Sequence, residues 1–396
     1  MKILVANLGS TSFKYRLFDL ADPSEPVLAR GSVERIGASS SPCTVHLPTG
    51  PQTRETAVPD HGVAVRMCLE QLTDPATGVL KSADEVAAIG FKAVHAKHLS
   101  GVVRVDATVL SAMEAYSDVC PAHNPPYTRA MRLLAEKLPE IPLVAAFETD
   151  FHQSIPEAAK RYAIPDDWAT SLGIKRHGFH GASHRYIATR MAQVLDRNDA
   201  KIISCHLGGS NSLAAIDGGK SRGCSLGMSP QSGLPHNNRV GDFDVFSLPV
   251  ILRETGKSLE QVLHILAEKS GLLGICGHND LRDIESAAEK GDAKSQLALD
   301  LFVTDIRRYL GSFLVELGGA DAIVFTGGIG ENSKVVRHGV CQNLGWFGIE
   351  LDHEKNQSAK GESLISSGTS RVQIWTLPTN EELIVARQTR DLLTSG

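Results

Sequence analysis

The chain has 396 residues, a length that predicts two or three domains. Its balance of 42% hydrophobic and 21% charged residues is typical of a globular protein. Forty basic against 45 acidic residues give a net charge of −5, which argues against a nucleic-acid-binding or membrane-surface protein. No apolar run approaches the ~20 residues that a bilayer requires, and the N-terminal segment turns polar too early for a signal peptide. The seven cysteines show no CxxC pattern, so we expect a cytoplasmic protein without disulfides or structural zinc.

Short apolar runs alternate with stretches of helical periodicity along the chain. Strands are predicted at residues 3–6, 86–89, 143–147, 201–204, 322–325 and 373–377. Helices are predicted at residues 127–137, 184–197 and 294–317, the last of them ending at a pair of glycines. Residues 37–54 predict an exposed loop or a hairpin. The alternation predicts an α/β fold with mixed sheets covered by helices.

Two segments, residues 2–19 and 201–217, share one plan. Each has an apolar strand, a turn of glycine and hydroxyl residues, and a second apolar strand that ends in aspartate. Strand–turn–strand units are common, so either copy alone would carry little weight. Two copies in one chain indicate a duplicated domain, with a cleft expected between the halves.

Three turns rich in glycine and hydroxyl side chains are candidates for phosphate binding, because backbone N–H groups in such turns converge on an anion. They lie at residues 7–14, which include Ser10, at 206–212 and at 326–332. None has the order of a Walker A loop or of a dinucleotide fingerprint. Each turn alone would be assigned to structure, whereas the three together favour a nucleotide.

Histidines are concentrated in the middle of the chain. His123 lies in a proline-rich loop, and His180 and His184 lie at the start of a predicted helix. A zinc pair is disfavoured because Gly181 separates the two histidines and the glutamate of an HExxH motif is missing. His180 is therefore either a hydrogen-bonded structural residue or a donor to a developing charge.

Carboxylates and one arginine are further candidates. Glu148 and Asp150 follow an apolar strand, where alternate residues share a face, so both could face one magnesium ion or one reacting group. A solvated strand end is the alternative. By themselves, Arg239 would be assigned to a surface ion pair and Glu381 to the first turn of a helix.

Taken in order, these motifs resemble those of the acetate kinase family, within the superfamily of acetate and sugar kinases, heat-shock ATPases and actin. The resemblance runs from residue 1 to about residue 390. Its landmarks are NLGSTSFK at 7–14, HNP at 123–125, FHQ at 151–153, HGFHGASH at 177–184, HLG at 206–208, RVGD at 239–242, SGLLGI at 270–275, DLR at 280–282, FTGGIGENS at 325–333 and TNEEL at 379–383.

The resemblance implies two duplicated actin-like (ribonuclease H-like) α/β domains that flank a nucleotide cleft. Residues 1–147 plus 376–396 would form an N-terminal acetate kinase domain, and residues 148–375 a C-terminal nucleotide-binding domain. The implied reaction is in-line phosphoryl transfer from ATP to a carboxylate, giving ADP and an acyl phosphate, with Mg²⁺ or Mn²⁺ as the metal. The implied partners are small molecules and a second copy of the chain in a homodimer, with neither nucleic acid nor membrane.

The resemblance also implies roles for individual residues. The catalytic residues would be Glu148, His180 and Arg239, and the metal would be held by Asn7 and Glu381. The carboxylate would be bound by Lys92, Val94, Ala122, His123, Phe179 and Pro230. The nucleotide side of the cleft would be formed by Lys14, His206, Leu207, Gly208, Gly209, Ser210, Asp280, Leu281, Arg282, Gly328, Ile329, Gly330, Glu331 and Asn332.

Four of these positions depart from the family pattern. Lys92 stands where the family has arginine, Glu148 where it has aspartate, Gly209 where it has asparagine, and Ala122 where leucine is usual. A smaller residue at 122 would favour propionate or a bulkier acid, while the three polar changes would suit a weak or repurposed kinase. Because each charged change keeps its sign, we favour retained catalysis. The alternatives are a nucleotide-binding protein without turnover and a kinase for another acceptor, such as a sugar.

Overall fold

The computed structural model describes residues 1–9, 11–121 and 123–395. The chain forms two compact units, Met1–Asp150 with Asn380–Gly396, and Phe151–Thr379. The chain therefore enters the second unit after Asp150, rather than after residue 147, and leaves it before Asn380, rather than before residue 376. The assignment of a functional domain to each unit stays a prediction.

The strands in chain order are Lys2–Leu8 (β1), Phe13–Asp19 (β2), Val27–Val33 (β3), Ser41–Leu47 (β4), Gly50–Thr56 (β5), Val86–Ala93 (β6), Val102–Arg104 (β7), Leu143–Phe147 (β8), Lys201–Leu207 (β9), Asn211–Asp217 (β10), Lys220–Cys224 (β11), Ala322–Thr326 (β12), Ser363–Leu364 (β13) and Gln373–Thr376 (β14).

The α-helices are His61–Leu72 (α1), Ala107–Glu114 (α2), Asn124–Lys137 (α3), Glu157–Lys160 (α4), Asp166–Ser171 (α5), Gly181–Leu195 (α6), Ser247–Thr255 (α7), Leu259–Glu268 (α8), Gly271–Cys276 (α9), Leu281–Glu289 (α10), Ala293–Leu317 (α11), Gly327–Asn332 (α12), Lys334–Cys341 (α13), His353–Ser358 (α14) and Glu381–Thr394 (α15). Short 3₁₀ turns lie at Ala83–Glu85, Asp150–Ser154 and Gly345–Phe347. No helix among the described residues is both long and apolar enough to cross a membrane.

The first unit is built on an eight-stranded sheet in the order β5-β4-β3-β2-β1-β6-β8-β7. The central strand β1 lies antiparallel to β2 and parallel to β6, which in turn lies parallel to β8. Side chains on one face of β1, such as Leu4, pack in the core with Val65 of α1 and Met131 of α3. On the other face, Val5 packs in a core with Val385 of α15. Residues 3–6 of β1 form a continuous apolar run, as expected of a strand that is covered on both faces.

The second unit is built on a six-stranded sheet in the order β11-β10-β9-β12-β14-β13. Phe302 and Ile306 of the long helix α11 cover one face, and Ile187 and Met191 of α6 cover the other. Helix α11 ends at Gly318, which adopts the left-handed conformation that glycine tolerates.

The two sheets share one topology. In each, an antiparallel hairpin (β1–β2 or β9–β10) is followed in the sheet by two parallel strands, β6 and β8 or β12 and β14. The predicted α/β class with mixed sheets is confirmed, and the duplication read from residues 2–19 and 201–217 corresponds to these two hairpins. The segment predicted as a loop or hairpin at residues 37–54 contains most of the β4–β5 hairpin.

Candidate active site

A polar cluster in the first unit surrounds Tyr127 of α3. The Tyr127 hydroxyl donates to Oδ1 of Asn7 at 3.0 Å and accepts the backbone N–H of Leu8 at 3.4 Å. The charges of Lys92, Glu148 and Glu381 act on this phenol, whose pKa is raised mainly by burial. The structure therefore brings together the predicted metal ligands Asn7 and Glu381 with the predicted residues Lys92 and Glu148.

Lys92 and Glu381 form an ion pair within this cluster. Nζ of Lys92, near the end of β6, lies 2.5 Å from Oε2 of Glu381 in the first turn of α15. Burial disfavours the ammonium, but the carboxylates of Glu381 and Glu148 outweigh it and raise the pKa of Lys92. Lys92 is thus a fixed positive charge among acidic side chains.

Glu148 and Asp150 do not share a strand face. Strand β8 ends at Phe147, and a 3₁₀ turn begins at Asp150, so the two-residue alternation of a strand does not extend to either carboxylate. Glu148 is buried, whereas Asp150 is half-buried and accepts a hydrogen bond from Gln388 at 2.9 Å. The premise of strand alternation was therefore wrong, since the chain turns at that point, and a shared magnesium ion or reacting group for the two carboxylates stays a prediction.

Asn7 and Lys14 are neighbours across the β1–β2 hairpin and line one open cavity of about 280 Å³. The cavity is also lined by Arg16, Arg30 and Glu382. Lys14 and Arg16 of β2 and Arg30 of β3 therefore place cations on its wall, next to the predicted metal ligand Asn7.

The predicted acceptor residues of the first unit lie after β6 and at the start of α3. Val94 is buried, and His123 is the half-buried residue that precedes α3. Ala122 and Ser10 lie outside the described residues.

His180 occupies a strained position in the second unit. It precedes α6 with φ of 55°, in the left-handed region that non-glycine residues rarely adopt. Its ring stacks on that of His206, with centroids 4.2 Å apart, and its Nδ1 lies 2.7 Å from Oγ of Ser212. Backbone strain of this kind persists where the surroundings hold the residue in place, and it is concentrated at functional sites.

A chain of hydrogen bonds continues from His180 into the core. Ser212 Oγ also lies 2.8 Å from Nε2 of His184, whose Nδ1 lies 2.9 Å from Oγ of Ser204. Burial, assisted by His152 and His206, lowers the pKa of His184 well below its ordinary value, so this ring is neutral at physiological pH. These hydrogen bonds fix the orientation of the His180 ring.

His152, His184 and Cys224 place three potential metal-ligand atoms within 4.8 Å of one another. The nitrogens of both imidazoles already have protein partners, however. His152 Nδ1 meets Ser221 and its Nε2 meets the carbonyl of Phe179, both at 2.8 Å, and His184 lies between two serines. We assign this cluster to the hydrogen-bonded core rather than to a metal centre.

Arg239 is positioned by its loop. Its Nη1 donates to the carbonyl of Pro230 at 2.7 Å, which joins a predicted catalytic residue to a predicted acceptor residue. The motif at residues 270–275 requires glycine at position 271. A Cβ there would come within 2.1 Å of the His236 carbonyl oxygen and 2.6 Å of the Arg239 carbonyl oxygen. Only glycine allows this approach.

Two glycine-rich turns of the second unit are adjacent. Strands β9 and β12 are parallel neighbours that pair His206 with Thr326, so the turns that follow them start side by side. Gly327 has φ of 76°, and a Cβ there would lie 2.6 Å from the Leu207 carbonyl oxygen. Residues 327–332, expected to form a turn, fold as the short helix α12.

Some predicted nucleotide residues have buried side chains. Leu207 and Leu281 belong to the hydrophobic core, so only their backbone groups are available to a ligand. Asn211 does not replace the asparagine that the family has at position 209. Its side chain is fully buried, accepting from Gly208 N at 2.9 Å and donating to the Pro235 carbonyl at 2.9 Å.

Asp280 and Arg282 form a fork at the start of α10. Nε and Nη2 of Arg282 donate to the two carboxylate oxygens of Asp280 at 2.9 and 2.5 Å. These bonds lower the pKa of Asp280 to about 2. The arginine side chain is 88% exposed, and it is therefore accessible to a ligand.

The sequence did not predict Tyr127 or Ser204 as members of the site, and it included Ser212 only as part of the candidate turn at residues 206–212. A signal for the serines existed in the hairpin of residues 201–217. Once β9 and β10 pair with Ser212 opposite His206, those two residues and Ser204 lie on one face of the sheet. No local pattern predicts Tyr127, because its partner Asn7 is 120 positions away.

The oxygen ligands of the first unit fit a small divalent cation. Asn7 offers an amide oxygen, and Glu148 and Glu381 offer carboxylates within the cluster around Tyr127. Hard oxygen donors of this kind suit Mg²⁺ and Mn²⁺ rather than metals that prefer sulfur or nitrogen.

Known proteins of similar sequence match almost the whole length of the chain. The chain is 42% identical over 390 residues to an acetate kinase of Bacillus mycoides, covering 98% of this chain and 97% of that one. It is 42% identical over 397 residues to an acetate kinase of Carboxydothermus hydrogenoformans, covering 99% of both.

Solved structures agree as well. An acetate kinase of Porphyromonas gingivalis matches with a TM-score of 0.88 and 36% identity over 99% of both chains. A propionate kinase of Francisella tularensis matches with a TM-score of 0.89 and 32% identity over 98% of this chain and 99% of that one.

The duplicated sheets and their polar clusters thus define a phosphotransferase of the actin-like α/β class. The acetokinase family model matches residues 2–387, and the chain belongs to that family. The resemblance stated from the motifs is confirmed.

Proposed function

We propose that this protein transfers the γ-phosphoryl group of ATP to the carboxylate of acetate or another short-chain acid, in line, to form an acyl phosphate and ADP. The observation that carries the proposal is His180, which is held in a strained conformation by Ser212 and His206 beside a glycine-rich turn. The identity of the chain to acetate kinases over almost its whole length supports the same reaction.

Fixed cations and hydrogen-bond donors would stabilise the transition state. In-line phosphoryl transfer spreads negative charge over the equatorial oxygens, and groups held in place before the reaction stabilise that charge without reorganising. His180 and Arg239 take this role in the proposal. Lys92 would bind the carboxylate end of the acceptor as a point charge, without the planar fork of an arginine.

Asn7 and Glu381 would hold Mg²⁺, with Glu148 beside them. The bound ion would neutralise charge on the phosphoryl oxygens. The oxygen ligands suit Mg²⁺ and Mn²⁺ alike, and Mg²⁺ is the ion we propose, with Mn²⁺ as the alternative. The turn at 206–210, the fork of Asp280 and Arg282, and α12 would bind the nucleotide.

A propionate-directed enzyme is a second candidate. It is favoured by Ala122, where leucine is usual, and by the similarity of the fold to the Francisella tularensis propionate kinase. A homodimer and a cytoplasmic location are further proposals. The seven cysteines, all of them free, support the second.

Hydroxylamine trapping of acyl phosphate tests the function. The purified full chain is incubated with Mg-ATP and one acid at a time, from acetate to butyrate. A signal with a short-chain acid supports the proposed reaction and identifies the preferred acceptor. Silence with every acid, from a protein that binds ATP, would contradict it and favour another acceptor or a non-catalytic role.

Ala122→Leu tests the pocket. The substitution should move the preference from propionate toward acetate, because one methylene is worth ~1–3 kcal/mol of discrimination. The readout is the ratio of kcat/KM for the two acids. An unchanged ratio would remove residue 122 from the acceptor pocket.

A further inference from the structure

The guanidinium of Arg337 is fully buried and contacts the last turn of α12. Arg337, on α13, is 1% exposed. Its Nη1 donates to the carbonyls of Gly330 and Glu331, at 3.0 and 2.8 Å, which are the last-turn carbonyls of α12. A six-residue helix cannot satisfy these carbonyls internally, so Arg337 supplies donors that the helix lacks.

The other side of the guanidinium is held by Asn356 of α14. Nε donates to the Asn356 side-chain oxygen at 2.7 Å, and Nη2 donates to its backbone carbonyl at 2.9 Å. The Asn356 amide donates in turn to the carbonyl of Lys334 at 3.0 Å. Arg337 thus joins α12 to α14 through a single planar group.

Burying a charge in this way is costly. Desolvation lowers the pKa of Arg337, and the nearby carboxylate of Glu285, which accepts from Ser333, offsets only part of that cost. A well-packed apolar side chain at this position would avoid the desolvation cost. The placement of a cation here therefore requires a reason beyond filling the core.

Helix α12 needs external support. It has three glycines in six residues, which makes it unstable as an isolated helix. At its start, Gly327 packs directly against the Leu207 carbonyl in a conformation reserved for glycine. Arg337 holds its other end. The two supports fix the segment at both ends.

We propose that Arg337 is a positioning residue for nucleotide binding, acting through the carbonyls of Gly330 and Glu331 to hold α12 in its binding conformation. The inference rests on the proposed function, which assigns residues 328–332 to ATP. Arg337 itself does not touch the ligand. Its loss should weaken nucleotide binding and leave the carboxylate acceptor unaffected.

The test compares Arg337→Met and Arg337→Lys with the unmodified full chain. The measurements are the Kd for ADP by calorimetry, the KM for ATP and the KM for the preferred acid. Arg337→Met should raise the Kd for ADP and the KM for ATP on the order of tenfold, because a displaced α12 loses one or two hydrogen bonds to the ligand. The KM for the acid should stay unchanged. Arg337→Lys keeps the charge but loses the fork, so its effect should be smaller and in the same direction. If Arg337→Met does not fold, Arg337→Lys is the variant that tests the proposal.

Arg307 provides a matched control. Its Nη1 donates to the carbonyls of Gly339, Val340 and Gln342 at the far end of α13, which is the same chemistry at a different helix end. Arg307→Met should lower the Tm without changing the Kd for ADP. An equal rise in the Kd for ADP in Arg307→Met and Arg337→Met would overturn the inference. An unchanged Kd for ADP in folded Arg337→Lys and Arg337→Met would overturn it as well.

Gly328→Val separates the two proposals. A Cβ at Gly328 meets nothing within 4 Å, so valine should be accommodated in the fold and should obstruct a nucleotide. An unchanged Kd for ADP in Gly328→Val would overturn the nucleotide assignment and this inference together. A weakened Kd in Gly328→Val with an unchanged Kd in the Arg337 variants would overturn this inference alone.

Discussion

Lys92 is the residue at which this chain departs most clearly from the family pattern. Its ammonium lies 2.5 Å from Glu381 and is influenced by Glu148, so it is a localised charge among carboxylates. An arginine there would offer two parallel donors, whereas lysine offers a compact charge on a flexible stem. The change keeps electrostatic attraction for an anionic substrate and gives up bidentate geometry.

Arg239→Ala tests the assignment of a transition-state role to the second unit. The variant should lower kcat by about 10²–10³, because it removes one preorganised cation, and it should leave the Kd for ADP unchanged. Arg253, an exposed arginine on α7 that pairs with its neighbour Glu254, supplies the control substitution Arg253→Ala. Equal losses in kcat and in ADP affinity for Arg239→Ala would refute the role.

The sequence predicts part of the site at this scale. Candidate residues such as His180 and Arg239 could be named because their motifs resemble those of a family. The contacts that position them could not, since Ser212 meets His180 across 32 positions and Tyr127 meets Asn7 across 120. A side chain's long-range partner depends on the register of elements that no local pattern specifies.

At the scale of elements, the β9–β10 hairpin and α6 organise the histidines. His152 lies in the same core, with its ring between Ser221 and the Phe179 carbonyl. Burial lowers the pKa of His152 to about 4, so the folded protein keeps the ring neutral.

Acid should therefore destabilise the second unit. Below the ordinary pKa of histidine the unfolded chain takes up a proton that the folded chain does not, so stability falls as pH falls toward about 4. Between pH 7 and pH 5, His152 alone should remove about 2 kcal/mol from the free energy of unfolding. Urea unfolding followed by tryptophan fluorescence measures this, because Trp168, Trp346 and Trp375 all lie in the second unit.

Two variants complete that test. His152→Gln should lower the free energy of unfolding at neutral pH. It should also remove the pH dependence of about 2 kcal/mol between pH 7 and pH 5 that is assigned to His152. Ile323→Val, a change in the buried strand β12 that removes no titratable group, should lower stability and leave the pH dependence intact. A His152→Gln variant that keeps the full acid sensitivity would show that this histidine does not titrate as described.

Elements with strong periodicity were predicted well. The apolar stripe at residues 294–317 matches α11, and the run at residues 143–147 matches β8. The end of β8 shows the limit of such patterns. The alternation of Glu148 and Asp150 suggested a continuing strand, but the strand ends at Phe147 and a 3₁₀ turn begins at Asp150. The glycines of residues 327–330 suggested a loop, yet packing against the end of β9 and the buried Arg337 stabilise a helix there.

At the scale of the molecule, the duplication is visible both in sequence and in topology. Each unit places a hairpin beside two parallel strands and carries polar side chains where the first strand of that hairpin ends. The units then differ in chemistry. The candidate residues of the first unit include the carboxylates Glu148 and Glu381 with Lys92, whereas those of the second include His180, Arg239 and the turns at residues 206–212 and 326–332. This division matches a reaction that needs a metal, an acceptor and a nucleotide.

The most direct test of the account is the formation of ATP from ADP and acetyl phosphate by the purified chain, because the proposed reaction is reversible. We predict ATP formation that requires a divalent cation and is abolished when the cation is chelated. Measurable binding of ADP without any ATP formed, in the presence of Mg²⁺ and acetyl phosphate, would contradict the account and show a nucleotide-binding protein that does not transfer phosphate to or from acetate.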